Sequence, residues 1–240
     1  MVRRGLLLAL EGASGSGKTT LVRAATRALG WQPLPEAYDR LDPAPSLAFA
    51  SSRELRLLEG TLLSEETRRF RAAVRACSAG RTVLADTGFF GPLTYTWGLV
   101  RLGRAPAAVG RSLSRSARSL AREGALGLPD LTVYLRTTTA ERRRRARADA
   151  RHHPAPLLSR HEAVGRFERR YFTELFPSAL PGRFLELRAD AAPATLVGRL
   201  RAIVEAADGV PASRADALAV LARLPPSRRR RRRSSLRPNR

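Results

Sequence analysis

The chain has 240 residues, a formal net charge of +23 and a hydrophobic share of 43%, which suits one α/β domain with a sizeable core. No apolar run reaches the length of a membrane-spanning helix, so we expect no membrane span. Cys77 is the single cysteine, which excludes an intrachain disulfide and a cysteine-rich zinc site and favours a cytoplasmic location.

Short apolar runs and longer helical patterns alternate along the chain. The runs predict strands at residues 5–11, 31–35, 82–86, 131–135 and 183–187. The longer patterns predict helices at residues 18–29, 52–79, 93–125 with Gly and Pro interruptions, from 139 onward, 160–175 and 194–207. Strands that alternate with helices form a parallel sheet covered on both faces. The sequence therefore predicts one α/β domain over residues 1–209.

Two further segments follow this domain. Residues 210–224 are predicted to add one amphipathic helix, which the two prolines that follow would stop. Residues 225–240 contain the unbroken arginine run 228–233. Because like charges repel and the segment has little apolar surface to bury, we predict a disordered basic tail. Such a tail is expected to bind nucleic acid or another anionic surface without sequence preference.

A glycine-rich loop joins the first predicted strand to the first helix and satisfies the Walker A pattern. Its residues are Gly12, Ala13, Ser14, Gly15, Ser16, Gly17, Lys18 and Thr19, followed by Thr20. In this pattern backbone N–H groups hold phosphate oxygens, the lysine reaches the β- and γ-phosphates, and the Thr19 hydroxyl binds Mg²⁺. Lys18 is the only lysine in the chain, at the one place where a compact ammonium is wanted. We therefore predict ATP and Mg²⁺ as ligands and the three-layer sandwich of a P-loop NTPase, with a glycine-rich turn as the alternative.

Two acidic residues follow predicted strands. Asp86 closes the third strand, at the edge where ligands bind in parallel sheets. We expect it to serve catalysis and, with Thr19, to hold Mg²⁺, the alternative being a helix cap. Glu36 follows the second strand and is either a general base that binds the acceptor or a solvated loop acid.

Arginines follow the fourth predicted strand. Arg144, Arg147 and Arg151 are spaced at i, i+3 and i+7 and so share one helix face, with Arg143 beside them. Such a face can close over the transferring phosphoryl group and stabilise its charge. We predict catalytic roles for Arg144 and Arg147 and substrate contacts for Arg143 and Arg151. Arginine is abundant throughout the chain, so a solvated face is the alternative.

Several of these segments resemble the thymidylate kinase and deoxynucleoside kinase group of P-loop kinases. Glu11 precedes the first glycine as in that group's P-loop, and residues 86–95 lie where the group has an Asp-Arg-aromatic motif and a substrate-side tyrosine, here Tyr95. Residues 129–135 are similar to the group's fourth strand, and the arginines lie where the group has its lid. The resemblance implies a kinase of a nucleoside or nucleotide.

Departures from the group bear on the acceptor. Thr87 stands where thymidylate kinases have an arginine that holds the acceptor phosphate, and Thr96 stands where a glutamine that reads thymine is expected. Both argue against thymidylate. Phe89 and Tyr95, with Phe90 and Trp97, are candidates to line the acceptor pocket, the alternative being ordinary core packing.

The function predicted from these features is phosphoryl transfer from Mg·ATP to a nucleoside, nucleotide or other small acceptor. The alternative is a P-loop ATPase or nucleotide-sensing module whose basic tail binds an acidic partner. A homodimer is left open.

Overall fold

The structure, a computed structural model, describes residues 4–42, 49–148, 155–207 and 210–224, with the side chains of residues 146–161 outside this description. Its centre is a sheet of five strands: β1 (Leu7–Glu11), β2 (Gln32–Leu34), β3 (Val83–Asp86), β4 (Leu131–Arg136) and β5 (Phe184–Arg188). Every strand pair is parallel, in the order β2-β3-β1-β4-β5. The first strand in the chain is therefore the central strand of the sheet.

Helices connect and cover the strands. They are α1 (Lys18–Leu29), α2 (Ser52–Ser78), α3 (Gly91–Arg101), α4 (Ala107–Arg122), α5 (Thr139–Ala148), α6 (Ala155–Arg170), α7 (Phe176–Ala179), α8 (Pro193–Ala206) and α9 (Arg214–Arg223). A 3₁₀ turn occupies Tyr38–Arg40, and a π-helical segment, Tyr171–Leu175, joins α6 to α7. Within the described residues, no helix is both long and apolar enough to cross a membrane.

Alternate residues of β1 pack into two separate hydrophobic cores, one on each face of the sheet. Leu7 and Ala9 face α2, α3, α4, α6 and α9, whereas Leu8 and Leu10 face α1 and α8. All four side chains are at most 1% exposed. A strand buried on both faces reads as a continuous apolar run, which is why the sequence shows no alternation there. The result is a three-layer sandwich.

This architecture confirms the predicted α/β fold with a central parallel sheet. All five predicted strands are present, with ends shifted by one or two residues. The predicted helical stretch 93–125 is divided into α3 and α4, and the predicted helix 160–175 begins earlier and ends in the π-helical segment. Residues 225–240, predicted as a disordered tail, lie outside the described residues.

The helix α9 packs against the same core as α4. Ala217, Val220 and Leu221 are fully buried in it. Ser213 begins the helix with a capping box, because its hydroxyl accepts from the Asp216 N–H while the Asp216 carboxylate accepts from the Ser213 N–H. Helix α9 therefore belongs to the core on the side of the sheet that α2 and α4 cover.

The register of the sheet places the site. Leu10 of β1 pairs with Asp86 of β3, and Glu11 pairs with Tyr134 of β4. The loop that leaves β1 and the acid that ends β3 therefore lie side by side at the carboxyl edge of the sheet, where ligands bind in open α/β folds.

Candidate functional site

The glycine-rich loop between β1 and α1 has the backbone that its sequence requires. Gly12, Gly15 and Gly17 have φ values of 145°, 75° and 99°, in the region that L side chains rarely adopt. The Lys18 Nζ donates to the Gly12 carbonyl oxygen over 2.9 Å, across the loop. Because the loop leads directly into the N-terminus of α1, its amides and the helix dipole form an anion-binding position.

Lys18 and Ser16 are more enclosed than loop residues usually are. Lys18 is the first residue of α1 and only 9% exposed, whereas the sequence pattern suggested an exposed loop lysine. The Ser16 side chain is 1% exposed, and its Oγ has no hydrogen-bond partner among the described residues. A buried polar atom without a partner is uncommon, and here it stands in the loop that would hold phosphate.

Asp86 ends β3 next to this loop. Its side chain is 3% exposed, and its Oδ1 has no hydrogen-bond partner among the described residues. Thr19, exposed at the start of α1, supplies a hydroxyl on the loop side. One buried carboxylate oxygen and one hydroxyl fit Mg²⁺, which keeps most of its waters and uses few protein ligands. Within the described residues there is no cluster of three or more His, Cys, Asp or Glu side chains that could hold a metal ion.

Thr87, directly after Asp86, has a strained backbone. Its φ of 68° makes it the one non-glycine residue with a positive φ in the described part of the chain. A β-branched residue in this region is a genuine outlier. The Thr87 N–H donates to the Leu10 carbonyl over 3.1 Å, and its carbonyl accepts from Arg69 over 3.3 Å. The strand end is therefore held from both sides.

Arg69 of α2 is the group that holds the strand ends together. Its side chain is 0% exposed, and its Nη2 donates to the carbonyls of Leu34 at the end of β2 and of Asp86. Its Nη1 donates to Glu66 Oε2, and the guanidinium lies 5.5 Å from the centre of the Phe89 ring. Burial raises the pKa of Glu66 to about 7 although Arg69 lowers it. The sequence analysis did not identify this pair.

Glu11 connects the glycine-rich loop to the turn after β3. Its Oε1 accepts from the Gly88 N–H over 2.8 Å. A Cβ on Gly88 would lie 2.7 Å from that oxygen, so the contact requires glycine. Burial raises the pKa of Glu11 to about 8, against the lowering effects of this hydrogen bond and of Lys18.

Two further carboxylates, Glu36 and Glu168, interact electrostatically with Lys18 of the glycine-rich loop. The half-buried Glu36 has its pKa raised by desolvation, and the charge of Lys18 opposes that shift. Glu168 of α6 is bonded to the Thr94 side chain, and burial raises its pKa to about 7. We call these residues together the acidic cluster: Glu11, Glu36, Glu66, Asp86 and Glu168. Lys18 and Arg69 are the cations that lower the pKa values of Glu11, Glu36, Glu66 and Glu168.

The fold is similar to that of a deoxyadenosine kinase in three solved structures. A deoxyadenosine kinase from M. mycoides with bound dATP matches with a TM-score of 0.62 and 14% sequence identity, over 84% of this chain and 100% of that one. Its structures with the products dCMP and dCDP and with dCTP match with TM-scores of 0.58 and 0.53 at 12% and 14% identity, each over 83% of this chain and 99% of that one. Neither a family model nor a curated protein sequence matches the chain.

The chain has the fold of a P-loop deoxynucleoside kinase. The predicted resemblance to this group is therefore confirmed at the level of the fold.

Arg145 of α5 is the arginine of this helix whose described contacts reach the glycine-rich loop. Its Nη1 donates to the Ser16 carbonyl over 2.8 Å, and its Nη2 donates to the Ala189 carbonyl, next to the end of β5, over 3.2 Å. Its Nε donates to Glu141, one helical turn earlier. The sequence analysis named its neighbours but not Arg145, because a position on a helix does not reveal which side meets the loop.

The predicted lid arginines have other environments. Arg144 is 73% exposed and paired with Glu141, and the two arginine contacts lower the pKa of that glutamate to about 2. Arg143 pairs with Glu162 of α6 over 3.1 Å and so joins α5 to α6. The side chain of Arg147 and the whole of Arg151 lie outside the described residues. The predicted catalytic and substrate roles of these arginines stay predictions.

The aromatic candidates lie mostly in the core. Phe89 is 2% exposed and stacks edge-on against Phe70, with the ring centres 5.2 Å apart. Phe90 is buried, and the Trp97 indole N–H donates to Ser114 over 3.0 Å, away from the loop. Tyr95 is half-buried at the edge of this core. Phe89 therefore packs as a core residue, and the predicted lining roles of Phe89 and Tyr95 stay predictions.

Proposed function

We propose that the protein transfers the γ-phosphoryl group of Mg·ATP to a hydroxyl group of a nucleoside or another small acceptor. The observation that carries the proposal is the pairing of Leu10, two residues before the glycine-rich loop, with Asp86 at one edge of the sheet. This register brings the loop close to a buried carboxylate whose Oδ1 has no hydrogen-bond partner among the described residues. The deoxynucleoside kinase fold supports the same class of reaction.

Each group has a chemical role in this proposal. Charge on the β- and γ-phosphates would be stabilised by the backbone amides of Gly12–Gly17, by Lys18 and by the N-terminus of α1. Mg²⁺, when bound, neutralises charge on these phosphates, and Thr19 and Asp86 would hold it. Arg145 would keep the lid against the loop.

The transfer itself needs a base near the acceptor. The bond from the acceptor oxygen to the γ-phosphorus forms as the bond from that phosphorus to the β–γ bridging oxygen breaks, and ADP leaves. We assign the hydroxyl proton to Glu36, whose charge interacts with Lys18 and Asp86. Desolvation raises the pKa of Glu36 above its usual range, which makes its carboxylate a stronger base.

Thr87 bears on which acceptors fit. It carries no charge at the position where the resemblance places an arginine for the acceptor phosphate, and its backbone is held by Leu10 and Arg69. A nucleotide acceptor would bring two further negative charges toward the acidic cluster, and Thr87 offers no cation at its position to receive them. We therefore propose an unphosphorylated acceptor.

The test is ADP formation by the full chain with Mg·ATP and a panel of deoxynucleosides, thymidylate and amino alcohols, with product masses measured. Acceptor-dependent ADP and a phosphorylated product are expected, and Lys18→Ala should lose both. ADP formation that no acceptor changes would instead support the predicted ATPase or nucleotide-sensing module. The cytoplasmic location, the homodimer and nucleic-acid binding by the tail stay predictions.

A further inference from the structure

The solvent face of α4 carries a row of arginines. They are spaced at i, i+4, i+7 and i+11, so they share one stripe of the helix, and we call them the arginine row: Arg111, Arg115, Arg118 and Arg122. At a rise of about 1.5 Å per residue the row is about 16 Å long. The opposite face of α4 is buried in the core through Val109, Leu113 and Ala117. The core therefore fixes the direction in which the row points.

The positive charge of the row is not balanced by acids. None of its members has an ion-pair partner among the described residues; Arg118 donates to a carbonyl of α9, and the other three are exposed. The next acid, Glu123, follows the end of α4. Among the described helices, α4 is the one that has more than two arginines and no acid. The abundance of arginine in the chain explains arginines on a surface, but not a helix from which acids are missing.

Helix α9 extends this basic face. Near the start of α9 the Arg214 guanidinium donates to the Arg122 carbonyl over 3.5 Å, and near its end the Leu221 carbonyl accepts from Arg118 over 3.4 Å. These two contacts show that α4 and α9 run antiparallel, so the last turn of α9 lies beside the N-terminal half of the arginine row. Residues 225–240, which contain the arginine run, follow α9 in the chain.

The other surface residues of α4 indicate the class of partner. Ser112, Ser116 and Ser119 form a second line of short side chains beside the row. Hydroxyl groups donate to phosphate oxygens, and arginine binds them bidentately. Neither α4 nor α9 contains an aromatic residue on which an unpaired base could stack. Neither helix exposes a large apolar side chain that could enter a membrane.

We propose that α4 and α9 form a binding surface for the phosphate backbone of a nucleic-acid duplex, without recognition of base sequence. The arginine row matches the rise of about five base pairs, at about 3.4 Å each. A second copy of the chain does not suit this face, because it would bring the same arginines against one another. No residue of the surface belongs to the candidate kinase site, so the two functions are independent.

The experiment measures the Kd of the full chain for a fluorescently labelled DNA duplex of about 20 base pairs, between about 50 and 200 mM salt. The row variant combines Arg111→Gln, Arg115→Gln and Arg122→Gln, and it keeps Arg118 because that side chain contacts α9. Each lost phosphate contact lowers the slope of log Kd against log salt by about 0.9, so a fall of about 2 to 3 is expected, with binding at least about tenfold weaker at low salt.

The control variant removes the same charge from the other side of the sheet. It combines Arg23→Gln, Arg27→Gln and Arg199→Gln, which change exposed arginines of α1 and α8. This variant should change the slope by less than about one. Both variants should keep the circular dichroism and the ATP turnover of the wild type. A row variant with lysine in place of glutamine should bind the duplex nearly as well as the wild type, because the charge is kept.

Equal loss of binding in the row and control variants overturns the proposal, because net charge or the tail would then account for it. Row-dependent binding that is tighter to phosphatidylserine vesicles, to polyglutamate or to single-stranded DNA than to the duplex also overturns it. If the row variant does not fold, Arg115→Gln alone decides: it should lower the slope by about one, and an unchanged slope contradicts the proposal.

Discussion

Replacing Arg69 with methionine should destabilise the protein strongly, because the change keeps apolar volume but removes a fully buried charge. The guanidinium holds Glu66 and the carbonyls at the ends of β2 and β3. Without it, Glu66 is a buried carboxylate with no cation beside it. The strained Thr87 also loses one of the two contacts that hold its backbone.

The expected loss of stability follows from breaking the buried Glu66–Arg69 ion pair. Removing one partner of a buried ion pair costs about 3–5 kcal/mol. Because the pKa of Glu66 is already about 7, that group can take up a proton near neutral pH, and the lower end of this range applies. For a chain of this size, about 3 kcal/mol corresponds to a fall in Tm of about 6–12 °C. The loss should be larger at pH 8 than at pH 6, since a protonated Glu66 needs no cation.

Denaturant unfolding followed by tryptophan fluorescence measures the change, using Trp31 and Trp97 as probes. Arg201→Met is the matched control, because Arg201 and Glu205 form an exposed pair on α8, of a kind that contributes about 0–1 kcal/mol. The double variant Arg69→Met, Glu66→Leu should recover much of the loss. If Arg69→Met unfolds at the same denaturant concentration as Arg201→Met, Arg69 does not hold the strand ends.

Four further outcomes are expected. Lys18→Ala, and less completely Lys18→Arg, should abolish phosphoryl transfer with unchanged circular dichroism, and wild-type turnover in the alanine variant would contradict the mechanism. Asp86→Asn should lower kcat by about a hundredfold while changing ATP affinity little, because its assigned work is on the metal; a variant that unfolds but keeps its chemistry would make Asp86 structural. Truncation after Leu224 should leave turnover unchanged and reduce retention on nucleic acid, whereas lost turnover would show that the tail serves the site. Burial raises the pKa of Glu59 to about 8 and that of Glu168 to about 7. Their contribution to the free energy of unfolding is therefore complete below about pH 4.5 and is lost as the pH rises to about 8. Urea unfolding at several pH values should show this loss of stability, and the loss should be smaller in Glu59→Gln.

The elements of the site that depend on local chemistry were predictable. The glycine-rich loop needs positive φ values at Gly12, Gly15 and Gly17, and glycine alone supplies them without strain. The strands β1, β3 and β4 appear as short apolar runs because they are buried on both faces of the sheet, whereas the edge strands β2 and β5 are partly exposed. The position of Asp86 at a strand end followed from the same reasoning and is what the structure has.

Other parts of the site depend on contacts between residues far apart in the chain. The strand order that places β3 beside β1, the hydrogen bond from Gly88 to Glu11, and the contact of Arg145 with Ser16 each join segments separated by 70 or more positions. Local pattern carries no information on such pairings. It predicted a helix after β4 but not which of its arginines contacts the glycine-rich loop.

The sequence by itself determined the parallel α/β fold, the glycine-rich loop after β1 and the acid at the end of β3, because periodicity and backbone preference are properties of short segments. The tertiary structure alone decided which buried polar groups meet at the strand ends. One signal of it was present in α2, where Glu59, Glu66 and Arg69 occupy a stripe that is otherwise apolar, with Leu55, Leu63 and Ala73. Polar residues on a buried helix face are stable only with partners, and those of Arg69 come from the ends of β2 and β3, which the fold brings to α2.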